Sequence, residues 1–252
     1  MKQKHTLTYI INCIATMLLF CVSLQAQNND NDSIPTDSGS IIKEKYGLRL
    51  GADIGKLIRS FVDDDYSGFE ILGDFRIKRN LYIAGEIGFS EKKNTTDYLN
   101  ITTKGSYLKG GIDINLYENW LDMDNMIFTG FRIGASSFSH NLNNYTIYTT
   151  NTYWPGLTVN DQREYSGLTA FWVEMLLGVK AEVLNNLYLG FNLQLKFLIN
   201  EKDPGNFENI FIPGFNKTYD SGRIGAGYSY TLSYRIPLFK KERTTKTENT
   251  SN

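Results

Sequence analysis

The chain has 252 residues, a formal net charge of -1, 41% hydrophobic and 21% charged residues, and a mean hydropathy of -0.31. These values exclude a disordered chain, the balanced charge argues against a nucleic-acid-binding protein, and no run of apolar residues is long enough for a transmembrane helix. Aromatic residues reach 13%, with 16 Tyr and 15 Phe, a composition that favours β-strands.

Residues 1–26 are predicted to be a secretory signal peptide. Lys2 and Lys4 precede an apolar segment at 10–22, and the small residue Ala26 stands where a signal peptidase would cleave. The apolar segment is too short to span a bilayer, so we expect cleavage after Ala26 and export of the chain.

The two cysteines of the chain, Cys13 and Cys21, both lie in this segment. Cleavage would therefore leave no disulfide, thiol nucleophile or thiolate metal ligand. An alternative is a lipoprotein signal in which Cys21 is lipidated, but bulky Phe20 stands where a small residue is expected. We expect an exported chain without covalent cross-links.

Polar segments flank the region that carries regular patterning. Residues 27–45 are rich in Asn, Asp and Ser and are predicted to form a flexible linker, and residues 240–252 are charged and polar and are predicted to form a disordered tail. Between them, 46–239 shows neither a helical period nor a repeat of fixed length, so we expect one domain.

Apolar and polar residues alternate along this domain, which is typical of strands with two different faces. In one strand, for example, Val173, Met175 and Leu177 alternate with Glu174 and Gly178. All charged residues of the strands share one face with most of the glycines. Eight strands are predicted, at 46–55, 69–77, 81–89, 108–116, 127–135, 171–183, 187–196 and 224–236.

The predicted connections alternate between short turns and long polar loops. The turns are at 78–80, 118–125 and 184–186, and the loops are at 61–68, 90–106, 136–168 and 199–223. Turns on one rim and loops on the other, with an even number of strands, are typical of a barrel in an outer membrane. The predicted fold class is therefore all-β, an eight-stranded antiparallel up-and-down transmembrane β-barrel.

The glycines decide which face of the barrel points inward. A soluble barrel would show the same alternation with the apolar face inside, but glycine on a solvated exterior only weakens strands. Inside a narrow barrel, glycine leaves room for long charged neighbours. The charged face is therefore placed inside, as a lumen charge network of seven acids and seven bases: Arg49, Asp53, Glu70, Asp74, Arg76, Glu86, Lys109, Asp113, Arg132, Glu174, Lys180, Glu182, Lys196 and Arg235.

Two interpretations of this network are open. Unpaired buried charges are costly, so we expect internal pairing and a polar core that fills the barrel. The alternative is a narrow path for protons, ions or small solutes through shifting pairs. A wide diffusion pore is disfavoured, because eight strands enclose too little space.

The chain resembles the small outer-membrane β-barrel proteins of the Bacteroidota type, a functionally uncharacterised, porin-like group. The resemblance rests on the signal ending Leu24-Gln25-Ala26-Gln27, the eight alternating strands and the closing segment YTLSYRIPLF at 230–239. It covers 46–239 and implies an outer-membrane location, contact with outer-membrane lipids and recognition by the barrel assembly machinery. One departure is that thirteen residues follow Phe239, where many such barrels end.

Residues suited to catalysis are few. His140 is the only histidine after residue 26, and with Ser139 and Asp161 it would be the basis of a lipid hydrolase or acyltransferase at the outer rim. Neighbouring side chains on an extended strand point apart, so we expect an ordinary surface histidine and no catalytic residue.

Metal and cofactor sites are equally weak in the sequence. Asp63, Asp64 and Asp65 are candidate Ca²⁺ ligands, but a solvated acidic loop tip is the favoured interpretation. The Gly225-Ala-Gly227 segment lies within a strand with no helix after it, so it is not a nucleotide-binding motif. We expect neither a metal nor a cofactor.

Two predicted loops carry aromatic residues that suit contact with an extracellular glycan or protein ligand. The alternatives are that these rings pack on each other, cap the barrel mouth or lie at the level of lipid headgroups. The leading prediction is a non-enzymatic outer-membrane barrel with a structural, binding or adhesion role. The candidate residues are Tyr145, Tyr148, Tyr153, Trp154, Phe207, Phe211, Phe215 and Tyr219.

Overall fold

A computed structural model describes residues 41–117, 124–150, 153, 156–205, 207–217 and 222–244, with the backbone alone at 41–45, 217 and 239–244. The predicted signal peptide at 1–26 lies outside these residues, as do most of the predicted linker and tail. No helix in the described ranges is long and apolar enough to cross a membrane.

The described chain contains one helix and eleven strands. In chain order they are β1 (Ile41–Asp53), α1 (Ile54–Val62), β2 (Tyr66–Lys78), β3 (Leu81–Thr95), β4 (Leu99–Asn115), β5 (Met126–Thr146), β6 (Thr158–Val159), β7 (Arg163–Leu184), β8 (Leu187–Glu201), β9 (Phe211–Ile212), β10 (Asn216–Lys217) and β11 (Ile224–Thr244).

Eight of these strands form a closed antiparallel ring. The order around the ring is β1, β2, β3, β4, β5, β7, β8 and β11, and β11 returns to pair with β1. Each strand therefore has a neighbour on both sides, so the ring has no edge strand. Outside the ring, β6 extends the sheet beside β5, and β9 pairs with β10 as a separate small hairpin.

Connections of the ring fall on two rims. The turn rim carries the links at 79–80, 116–125 and 185–186, and the loop rim carries those at 54–65, 96–98, 147–162 and 202–223. This division agrees with the predicted alternation of turns and loops. The predicted loop at 90–106 is wrong, however, because β3 runs to Thr95 and β4 begins at Leu99, so only residues 96–98 lie between these paired strands.

Strands also continue beyond other predicted boundaries. β1 begins at Ile41, inside the predicted linker, and β11 runs to Thr244, inside the predicted tail. Near the loop rim, β5 continues to Thr146 where a loop was expected. Backbone pairing does not require apolar side chains, so strand ends that are polar on both faces escape a search for alternation.

The helix α1 is the largest local departure from the sequence prediction. It occupies the end of a predicted strand and part of a predicted loop. Asp53 caps its first turn, since the Asp53 carboxylate accepts the backbone N–H groups of Gly55 at 2.9 Å and Lys56 at 3.2 Å. Its apolar residues do follow a helical period, so the expectation that 46–239 shows no helical period is wrong at this point.

Candidate functional site

The interior of the ring contains all fourteen residues of the lumen charge network. Twelve of them are buried, Asp113 and Glu174 completely, and Glu86 and Glu182 are partly buried. Among the carboxylates that form ion pairs in the middle of the ring, Glu86 has the most exposed side chain, at 10%. Alternation along each strand delivers these side chains inward, as the sequence indicates.

A chain of ion pairs crosses the middle of the ring. Asp74 accepts Arg49 at 2.7 Å and Lys180 at 2.8 Å, and Lys180 also reaches Asp113 at 3.5 Å. Asp113 in turn pairs with Arg132 at 2.7 Å. Each charged side chain therefore faces side chains of opposite charge on other strands, as burial requires.

The series of ion pairs continues toward the loop rim through Lys109. Its ammonium group pairs with Glu86 and lies 3.4 Å from Glu70 and 3.7 Å from Glu174. Glu174 lies 3.8 Å from Lys196, which links the network to the loops. Lys109 is therefore surrounded by three carboxylates.

At the turn rim, Arg235 closes the network. It pairs with Asp124 and lies 3.3 Å from Glu182. Its guanidinium stacks over the ring of Tyr188 at 5.1 Å, and the guanidinium of Arg49 stacks over the same ring at 5.2 Å. Aromatic rings thus fill the space between the charges at this end.

Two members of the network were missed by the sequence analysis. Lys56 reaches inward from α1, where it pairs with Glu70 and donates to the Tyr107 hydroxyl at 2.7 Å. Asp124 comes from a connection at the turn rim. Neither lies on a predicted strand, so alternation gave no signal for either. One adds a positive and the other a negative charge, which keeps the interior balanced.

The interior also holds apolar side chains that the sequence analysis did not place there. Met126, Phe128 and Leu176 pack with Tyr82 as one buried cluster. A cavity of about 20 Å³, roughly the space of one water molecule, lies between this cluster and the ion pairs. Its lining includes Asp74, Glu86, Asp113, Arg132 and Lys180.

The mouth of the ring at the loop rim is filled by a segment of the last long loop, residues 207–217, here called the plug. Ile212 and Phe215 are fully buried in it, and Phe215 packs edge-on against Trp172 at 6.1 Å. Lys196 donates from the interior to the carbonyl oxygen of Gly214 at 2.7 Å. Gly214 lies so close to the Tyr107 ring that any Cβ would clash with it.

His140 holds the plug to the ring. Its Nε2 lies 2.8 Å from the Asn209 side-chain oxygen and its Nδ1 lies 2.7 Å from the Thr103 hydroxyl. The Asn209 oxygen accepts, so Nε2 carries the proton and Nδ1 accepts from Thr103. Asn209 also donates to Glu201 at 2.8 Å. His140 is fully buried, so the expectation of a surface histidine is wrong.

The structure does not assemble the candidate hydrolytic triad. Ser139 and His140 point to opposite faces of β5, and both ring nitrogens of His140 are occupied by Thr103 and Asn209. Asp161 pairs instead with Arg163 at 3.2 Å.

Of the aspartates at 63–65, Asp63 is the C-cap residue of α1, and its carboxylate accepts from Arg59. Burial alone would raise the pKa of Asp63, but hydrogen bonds from Arg59 and from the Asp65 backbone N–H, with the nearby charge of Lys92, lower it below its usual range. No group of three or more His, Cys, Asp or Glu side chains in the described ranges has the arrangement of a metal site.

The candidate aromatic residues of the two loops divide into separate environments. Phe211 and Phe215 are buried in the plug, and Phe207 packs against Tyr165 at 5.3 Å. Phe211 and Phe215 therefore cap the mouth, which was the alternative left open, and are not part of an exposed binding surface. The other loop is different: Tyr148 is 68% and Tyr153 92% exposed.

Three further candidates are Tyr145, Trp154 and Tyr219. Tyr145 is half-buried and pairs with Val159 of β6. Trp154 and Tyr219 lie outside the described residues. The exposed candidates among the described residues are therefore Tyr148 and Tyr153.

An exposed apolar patch surrounds Tyr148 on the loop rim. Tyr148 meets Tyr98 edge to face at 5.5 Å, and both rings are at least half exposed. Ile147 and Leu157 are joined by a backbone hydrogen bond and are also exposed. We call Tyr98, Ile147, Tyr148 and Leu157 the tyrosine patch.

Comparisons with known proteins add a family and one weak structural likeness. The model of a family described as a domain of unknown function, DUF6048, matches residues 6–241. No curated protein matches at a significant level. The chain is similar to the crystal structure of Ail, the attachment invasion locus protein of Yersinia pestis, at 8% identity and a TM-score of 0.36, over 79% of this chain and 100% of that chain. That likeness is too weak to support an argument, and the resemblance to Bacteroidota-type barrels stays a prediction.

Proposed function

The chain belongs to the DUF6048 family, and we propose that it is a non-enzymatic outer-membrane β-barrel with a sealed interior and a binding surface on its loop rim. One observation carries this proposal: the ring is apolar outside and charged inside. A water-soluble ring would have the opposite arrangement.

The apolar exterior is continuous around the ring. We call it the outer belt, and its members are between 36% and 65% exposed. Soluble monomers rarely expose apolar patches of more than a few hundred Å², whereas lipid accepts such a surface at no cost. The belt includes Leu50, Phe69, Ile71, Ile83, Ile87, Phe89, Leu108, Ile112, Ile114, Phe131, Ile133, Met175, Leu177, Leu189, Leu193, Leu195, Tyr228, Tyr230, Leu232 and Ile236.

The closed ring also removes the backbone obstacle to membrane insertion. Unpaired N–H and C=O groups are costly in hydrocarbon, and a ring without an edge strand leaves none along its strands. This supports a spanning barrel over a sheet that lies on the membrane surface.

The plug and the ion pairs favour a sealed barrel over a transport path. Phe215 and Ile212 fill the mouth, and the cavity beneath has room for about one water molecule. Moving an ion through would require breaking buried charge pairs, at a cost on the order of several kcal/mol for each ion.

The tyrosine patch is the surface that we assign to binding. Amphipathic tyrosine rings contact glycans and proteins at low entropic cost, and a β-hairpin end on a closed ring holds them in place. The two loops therefore have different tasks, since one seals the mouth and the other presents Tyr98 and Tyr148 outward.

Membrane fractionation tests the location. After expression in a Gram-negative host, the mature chain should be found in the outer-membrane fraction and should resist extraction with carbonate. Release from the periplasm without detergent would contradict the proposal.

Planar-bilayer recording tests the seal. The purified protein should show no steady conductance. A steady current that falls in Glu174→Gln would contradict the sealed interior and support the transport alternative.

A glycan array and a panel of immobilised matrix proteins test the binding surface. Binding should be lost in Tyr148→Ala and kept in Tyr117→Ala, which changes an exposed ring on the turn rim. Binding that is equal in both variants would contradict the assignment.

A further inference from the structure

The helix α1 has its two faces reversed relative to a helix of a soluble protein. At 100° per residue, five apolar residues fall on one face: Ile54, Leu57, Ile58, Phe61 and Val62. Gly55, Lys56, Arg59 and Ser60 fall on the other. In a soluble protein the apolar face would pack on the ring. In this chain none of the helix residues is fully buried, and Phe61 is 87% exposed.

The polar face of α1 is the one attached to the ring. Lys56 reaches the interior, where it pairs with Glu70. The Ser60 hydroxyl accepts the backbone N–H of Gly68 at 2.8 Å and lies 3.1 Å from the Gly68 carbonyl oxygen. The orientation of the helix is therefore fixed by its polar side chains.

Arg59 adds a third attachment on the same side. Its guanidinium stacks 4.0 Å from the centre of the Tyr66 ring and pairs with Asp63 at 3.2 Å. The apolar face is consequently left pointing away from these contacts, with Ile58 56% and Val62 62% exposed.

The strand register gives the level of α1 on the ring. Ala52, just before the helix, pairs with Ile71, and Ser60 contacts Gly68, next to Phe69. Phe69 pairs with Phe89, and both belong to the outer belt. One step further toward the loop rim, the outward residues are Ser67 and Glu91, which pair with each other. The helix therefore lies where the apolar belt ends.

We propose that α1 is an interfacial anchor whose apolar face is inserted into the outer leaflet of the membrane, at the boundary between lipid headgroups and acyl chains. The inference rests on the proposed membrane location and adds a lipid contact above the strands. An amphipathic helix at this boundary gains free energy in proportion to the apolar area it buries. The occupant is assigned as lipid because the helix, with its apolar face exposed, stands at the upper edge of the outer belt.

Site-specific fluorescence tests the anchor. An environment-sensitive probe is attached to Phe61→Cys in the full chain carrying Cys13→Ser and Cys21→Ser, folded into phosphatidylcholine vesicles. We expect iodide, a water-soluble quencher, to act several-fold more weakly at position 61 than at Tyr153→Cys, which lies at an exposed loop tip. A spin label at the lipid headgroup should quench position 61 more strongly than one deep in the acyl chain.

A probe at Ile133→Cys separates this inference from the proposed function. Ile133 is a belt residue, 60% exposed, and should be quenched by the deep spin label. If Ile133 behaves so while position 61 is as accessible to iodide as Tyr153, the anchor is overturned and the barrel stands. If position 61 is shielded from both iodide and lipid labels, a protein surface covers it and the anchor is again overturned. If Ile133 itself is quenched by iodide, the membrane location fails.

Discussion

Gly110 and Gly111 are neighbours on β4 that face opposite sides of the ring, and their surroundings differ completely. A Cβ at Gly111 would overlap the carbonyl oxygen of Phe131, while a Cβ at Gly110 would meet nothing within 4 Å. The inner face is packed to contact, like the core of a soluble protein. The outer face leaves space that lipid chains are able to fill. Side chains inside are therefore specified by their partners, and side chains outside mainly by their hydrophobicity.

The largest loss of stability is expected from a substitution on the inner face, at Asp113. Asp113→Ala removes the carboxylate that pairs with Arg132 and Lys180, which leaves buried charge uncompensated and should cost about 3–5 kcal/mol. The measurement is urea unfolding in vesicles. Ile112→Ala, on the outward side of the same strand, is the control and should cost much less. Equal losses in the two variants would show that the inner face is not special.

A charge on the outer belt tests the other side. Ile133→Lys places an ammonium group in lipid and should cost about 2–4 kcal/mol. Ser137→Lys, on the same outward face of β5 but beyond the belt, should cost at most about 1 kcal/mol. The same unfolding assay compares them. A small effect at both positions would mean that the outer face meets water.

Alanine substitutions at Gly110 and Gly111 compare the packing of the outer and inner faces directly. Gly111→Ala should destabilise the ring by about 1–3 kcal/mol, because the neighbouring backbone must move. Gly110→Ala should be neutral or stabilising by about 0.4–1 kcal/mol, since it restricts the unfolded chain without a clash. Unfolding midpoints that fall equally in both variants would argue against the packing difference.

The smallest expected effect concerns the plug. Thr103→Val removes the hydroxyl that donates to His140 and should cost about 1 kcal/mol. Hydrogen exchange should quicken in 207–217 while the strands of the ring stay protected. Uniformly faster exchange in every strand would mean that the plug and the ring open together.

Alternation predicted the ring and the inward charges because both depend on a local rule, that successive side chains of a strand face opposite sides. Glu174 and Trp172 could be placed inside for that reason. The rule fails where both faces are polar, as in β3 beyond Phe89, so the strand ends were missed. Alternation also does not show which strand supplies the partner of each charged residue, so it could not predict the pairing of Arg132 with Asp113.

The parts that depend on long-range contacts could not be predicted. Burial of Phe215 requires the ring mouth beneath it, and burial of His140 requires Asn209 from a loop far along the chain. For α1, the five apolar residues follow a helical period, but the predicted strand at 46–55 included its first two residues and the predicted loop at 61–68 its last two. That the polar face of α1, and not its apolar face, is attached to the ring is known only from the contacts of Lys56 with Glu70 and of Ser60 with Gly68.

Photo-crosslinking from the lipid tail is the most direct test of the claim that the outer face meets lipid. A diazirine carried on the acyl chain, activated in vesicles that contain the folded protein, should label outward residues such as Ile133 and Leu193 and spare their inward neighbours Arg132 and Gln194. Absence of label on the outer belt, with the same residues oxidised by hydroxyl radicals from water, would contradict the account.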